Sequence, residues 1–67
     1  MKVFINQESH TVPSGATLLD ALRINKLEEQ RGIAVAVNQR IISRTGWDDC
    51  KLQESDTVTI IQATQGG

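Results

Sequence analysis

The chain has 67 residues, seven Lys and Arg against eight Asp and Glu, a formal net charge of −1, one Cys, one His and no Tyr. A faintly acidic surface whose only aromatic residues are Phe4 and Trp47 lacks the basic patch and the stacking platform that nucleic-acid binding requires. A single cysteine excludes an intrachain disulfide and fits a reducing compartment, and Cys50 with His10 cannot make a zinc site.

No apolar run approaches a membrane span, and the stretch before Asn6 is too short for a signal-peptide core. The expectation is a cytoplasmic protein without membrane association, one domain over residues 1–67. A chain this small buries only about 60% of its unfolded surface, so it needs every apolar face it has.

Residues 2–6 alternate, with Val3 and Ile5 on one side and Lys2 and Phe4 on the other, as a half-buried strand does. Gln7, Glu8 and Ser9 read as a turn, and residues 10–12 as a short returning strand with Val12 inward. Pro13, Ser14 and Gly15 end it, since Pro lacks the donor a ladder needs. Thr17 and Asp20 have capping-box spacing. The apolar stripe of Leu18, Leu19, Ala21 and Leu22, extended by Leu27, predicts a helix from residue 18 to residue 25 or 26. Residues 27–32 form a polar connection closed by Gly32, which suits a turn with positive φ. Residues 33–37 are the clearest strand, Asn38-Gln39 a tight turn, and residues 40–43 a short return. Residues 45–51 read as an irregular crossing loop with Trp47 as a lid at the edge of the core. Residues 52–56 form a turn, and 57–62 the last strand.

The order β-β-α-β-β-β places one helix over one face of a mixed sheet of about five strands. Val3, Ile5, Val35, Val37, Val58 and Ile60 should meet Leu19 and Leu22 in one core. With the first and last strands adjacent at the centre, this is an α+β, β-grasp arrangement.

No catalytic residue is assigned. His10 has no Ser or Cys close in sequence to activate, Cys50 has Lys51 as its one cationic neighbour and reads as a half-buried structural thiol, and Asp48 and Asp49 read as solvated loop acids. The chemistry lies instead in Gly66-Gly67, a pairing that arises by chance about once in 200 positions. An α-carboxylate on Gly67, ionised near neutral pH, can attack the α-phosphorus of ATP to give a mixed anhydride, from which a sulfur nucleophile displaces AMP. Glycine leaves the acyl carbon sterically open and lets the tail lie extended. Thr64, Gln65, Gly66 and Gly67 would form a flexible tail reaching about 14 Å beyond the sheet. On the face opposite the helix, Phe4, Ile61, Ala63, Ala34 and Ala36 should form one contiguous apolar patch near that tail, a docking surface for a partner.

Over its full length the chain resembles the ThiS family of small sulfur carriers of thiamine biosynthesis, which have a ubiquitin-like β-grasp fold. Val3-Phe4-Ile5-Asn6, Ala16-Thr17-Leu18-Leu19-Asp20-Ala21-Leu22, Val35-Ala36-Val37-Asn38 with Ile41-Ile42 and Trp47, and the closing Gly66-Gly67 carry the resemblance. It implies a carrier, not an enzyme, with no bound metal or cofactor. A ThiF-type adenylyltransferase would use ATP and Mg to adenylate Gly67, a cysteine desulfurase or other persulfide donor would supply sulfur, and the thiazole synthase ThiG would accept it from the thiocarboxylate. Phe4 and Ile61 fall where the family presents its partner face, and the free protein is expected to be monomeric. Ser55-Asp56 replaces a frequent Gly-Asp, Arg44 stands where Pro-Arg is common, and Thr64-Gln65 is more polar than usual. The alternatives are a MoaD-like carrier for molybdopterin synthesis, which the short connection at residues 26–32 disfavours, a ubiquitin-like modifier, and a plain interaction module.

Overall fold

The computed structural model describes residues 1–27 and 32–62. Over these the elements are β1 (Lys2–Ile5), β2 (Glu8–Thr11), α1 (Leu18–Ile24), β3 (Ile33–Val37), β4 (Arg40–Ile42), a 3₁₀ turn (Arg44–Gly46) and β5 (Thr57–Gln62).

The alternation in β1 buries Val3 and Ile5 and leaves Phe4 half-buried on the opposite side. The chain then reverses at Asn6 and Gln7, both at positive φ (50° and 73°). That is the two-residue turn whose twist matches its flanking strands, and it displaces the turn expected at residues 7–9. β2 therefore starts at Glu8 and ends at Thr11. Val12 follows the strand rather than ending it, yet is only 1% exposed.

The helix begins where its spacing predicts. Asp20 N–H donates to Thr17 Oγ1 (3.2 Å) and Thr17 N–H to Asp20 Oδ2 (3.0 Å), so both members of the capping box are made despite the short Asp side chain. At the far end the Asn25 side chain donates to Ala21 O (2.8 Å), and Lys26 at φ 61° ends the helical path. Leu18, Ala21 and Leu22 are fully buried, and Leu19 sits at the margin of the core. The i, i+3, i+4 stripe of Leu18, Ala21 and Leu22 thus faces the sheet as the spacing predicts, but Leu18 rather than Leu19 takes the core position beside Leu22.

Gly32 (φ 71°) leads into β3, and Asn38 and Gln39 (φ 51° and 72°) form a second primed turn into β4. Trp47 is not a lid: it is 2% exposed within the core. Its Nε1–H donates to Ile42 O (3.0 Å), and the Arg44 guanidinium lies 4.5 Å from the ring centre. Leu52, expected in a turn, is also core. Leu18 N–H donates to Cys50 O (2.7 Å) and Leu52 N–H to Ala16 O (2.9 Å), so the segment crossing the helix entrance is tied to it on both sides.

The strand order is β2-β1-β5-β3-β4. β1 and β5 are parallel neighbours; the other pairs are antiparallel. With one helix on the side of Val3, Ile5, Val35, Val37 and Val58, this is the β-grasp arrangement. Among the described residues no polar or charged residue is buried, and no helix is long and apolar enough to cross a membrane.

Candidate functional site

The residues that alternate away from the helix define the outer face. In β5 these are Thr57, Thr59 and Ile61; in β3, Ala34 and Ala36; in β1, Lys2 and Phe4. Register decides which of them meet. Ala34 stands opposite Ile61 and Ala36 opposite Thr59, so the alanines flank the outward side of β5. On the other side of β3, Ala36 stands opposite Ile41 of β4.

Ile61 is 50% exposed and Ile41 62% exposed. They lie on a diagonal, two strand spacings apart across the sheet (about 10 Å) and two residues apart along it (about 7 Å), with the small alanines between them. The result is a shallow apolar floor walled by isoleucines. Ala34 is exposed, whereas Ala36 is buried (5%), its methyl set low between larger cross-strand neighbours in an inner strand.

Phe4 does not join this surface. The parallel register sets it opposite Thr57, four residues before Ile61, a separation of about 13 Å along the strand. Thr59 intervenes on the outer face, and the Lys2 ammonium lies 5.7 Å from the Phe4 ring centre. The one contiguous patch expected from alternation is therefore two patches. Alternation reveals the face of a residue but not its level along a neighbouring strand.

Ile41 is the surface residue that the reading of the sequence missed. Its signal was present: a two-residue turn at Asn38-Gln39 pairs Val37 with Arg40 and hence Ala36 with Ile41. Ala63, Thr64, Gln65, Gly66 and Gly67 lie outside the described residues, as does most of the connection before Gly32.

The other polar candidates are arranged for structure. His10 pairs with Val3 in the β1–β2 ladder, its Nε2 3.8 Å from Glu8 Oε1. Cys50 is half-buried, and burial, with a smaller effect from the Asp56 carboxylate, pushes its thiol up from the ordinary value. That holds sulfur as the thiol, the less nucleophilic form. The Asp20 carboxyl is held below its ordinary value, first by the backbone and then by the side chain of Thr17. Asp48 and Asp49 are exposed. Among the described residues no three His, Cys, Asp or Glu side chains are grouped to hold a metal ion.

Comparison with known proteins gives a consistent result. The model of the ThiS family matches residues 2–67. The sulfur carrier protein ThiS of Escherichia coli (strain K12) is 29% identical over 68 residues, covering 100% of both chains. The crystal structure of the thiamine biosynthesis protein ThiS from Geobacter metallireducens superposes with a TM-score of 0.84 at 20% identity, covering both chains fully. A solution structure of a thiamine biosynthesis protein from that organism gives 0.75 at 20% identity, covering 100% of this chain and 88% of that one. At such identity the structural likeness speaks for the fold, a ubiquitin-like β-grasp.

Proposed function

Because the chain belongs to the ThiS family, whose model spans residues 2–67, we propose that it is a sulfur carrier of thiamine biosynthesis, a co-substrate rather than an enzyme. The observation that carries this reading is the family match, which extends through Gly66-Gly67.

The reaction follows from the chemistry of a terminal glycine. A ThiF-type adenylyltransferase binds ATP and Mg, and a Gly67 carboxylate oxygen attacks the α-phosphorus; pyrophosphate leaves and an acyl-adenylate forms. The terminal sulfur of a persulfide, supplied by a cysteine desulfurase, attacks the acyl carbon and AMP leaves. A thiol then cleaves the resulting acyl disulfide, itself ending in a disulfide, and the thiocarboxylate is released. ThiG, the thiazole synthase, takes its sulfur for the ring. Glycine at both final positions keeps the acyl carbon unhindered through each displacement.

The β-grasp body supplies recognition. Ile61 on the strand that leads to the glycines, Ala34 beside it on β3 and Ile41 beyond on β4 offer apolar area, and docking of the adenylyltransferase there would bring the terminus to its ATP. Phe4 would make a separate contact nearer the start of β5. Ala63, Thr64 and Gln65 would span from the sheet to the reacting group.

The test is intact mass after incubation with a ThiF-type enzyme, Mg-ATP and a cysteine desulfurase. The expected result is exchange of one oxygen for sulfur on Gly67, abolished by deletion of Gly66-Gly67. An unchanged mass, with the same enzymes active on a control carrier, would overturn the reading. Conjugates to lysine surviving a denaturing gel would point to a modifier instead.

A further inference from the structure

β5 leads toward the glycines, and two asparagine side chains hold it, one near each end. The β1–β5 ladder ends at Ile5 opposite Val58, because the backbone turns away at Asn6 (φ 50°). Asn6 N–H still donates to Val58 O (2.9 Å). Its side-chain Oδ1 then accepts the Ile60 N–H at 2.8 Å. The side-chain carbonyl stands where the next main-chain carbonyl of β1 would have been, so the ladder gains a rung after its strand has ended.

Asn38, the first residue of the other primed turn, acts alike at the start of β5. Its Oδ1 accepts the Thr57 N–H (3.0 Å), and its Nδ2 donates to Asp56 Oδ1 (2.9 Å). The two sites differ in what else holds the strand. Around Thr57 and Val58, β5 is paired with β1 on one side and with β3 at Val37 on the other. At Ile60, β3 remains on one side and the Asn6 side chain takes the place of β1 on the other. Few residues can do this: the turn requires positive φ and the rung requires a short side chain with an acceptor, which Asn and Asp combine.

We propose that Asn6 is a positioning residue for activation of the C-terminal glycine. By holding Ile60 it sets the direction in which β5 delivers the residues after Gln62 to the adenylating enzyme. The proposal rests on the sulfur-carrier reading.

Three variants test it. Asn6→Gly keeps the turn conformation and deletes the acceptor; Asn6→Asp keeps both; Asn38→Gly releases the opposite end of the strand. Each is measured for Ile60 amide hydrogen exchange and for KM and kcat of the carrier in ATP–pyrophosphate exchange with a ThiF-type enzyme. Asn6→Gly should speed exchange at Ile60 about tenfold and raise KM about fivefold, the range of one hydrogen bond of ordinary net strength, with kcat little changed. Asn6→Asp should restore both. If Asn6→Gly frees the Ile60 amide while KM stays at the parent value, the bond is merely structural and the proposal is overturned. It is equally overturned if Asn38→Gly raises KM as much, or if Asn6→Asp does not restore it. A parent carrier that supports no exchange with an active enzyme refutes the sulfur-carrier reading itself, and this proposal with it.

Discussion

Replacing Ile41 and Ile61 together by alanine should weaken activation of the carrier far more than it weakens the fold. Ile41 is 62% exposed and Ile61 50% exposed, so each has about half of its surface left to bury against a partner. Full burial of an isoleucine side chain is worth about 1.5–3 kcal/mol, so each exposed part holds about 1–1.5 kcal/mol. The side chains stand on strands about 10 Å apart and should act nearly additively. Together they should contribute about 2–3 kcal/mol, a factor of about 30 to 150 in apparent affinity. The assay is the KM of the carrier in ATP–pyrophosphate exchange, with the urea midpoint recorded on the same samples, because the buried parts also stabilise the fold. A double variant that remains folded and has a KM within about twofold of the parent would refute the assignment of this face, since no partner could then be burying the two side chains.

Ser55 holds φ at 70° in the turn two residues before β5, where left-handed geometry costs a side chain about 1–2 kcal/mol against about 0.5–1 for the freedom of glycine in the unfolded chain. Ser55→Gly should therefore raise stability by about 0.5–1 kcal/mol in urea unfolding, and the Ser55 N–H bond to Lys2 O, being backbone, should survive; an unchanged midpoint would contradict the strain. The folded Asp20 carboxyl lies below its unfolded value, so its contribution is complete above about pH 4 and is lost as pH falls through the folded value. Asp20→Asn should flatten that acid limb of stability, and urea midpoints running parallel to the parent from pH 5 to pH 2 would show that the capping box is not titrating.

What could be read from the sequence was what depends on near neighbours. The capping box at Thr17 and Asp20 is a spacing of three, and the Asn38-Gln39 turn is bounded by two evident β-branched runs. The same Asn-Gln dipeptide at residues 6–7 went unread because the alternation of Val3 to Ile5 runs on into Asn6 without a visible break. Trp47 and Leu52 are core because their segment crosses the helix entrance, a placement made by bonds to Leu18, Leu19 and Ala16 far away in sequence. The separation of Phe4 from Ile61 is a matter of parallel register, which no periodicity encodes. Face membership is local; level along a neighbouring strand is tertiary.

The central place of β5 has a consequence for the order of events in the life of the chain. Among the described residues β5 is the final strand in sequence and the one flanked by both β1 and β3, so the β1–β2 and β3–β4 hairpins cannot be joined into one sheet before it has been made. Pairings between residues more than 50 positions apart are slow to form, and a chain lacking β5 would carry an open β1 edge and an unfilled core at Val58. The segment that completes the core is also the one that leads to the glycines. On the sulfur-carrier reading, an enzyme that docks on the outer face made by β3, β4 and β5 would therefore meet that face only on a chain whose sheet has already closed, so recognition of the body would select folded carriers before any chemistry begins.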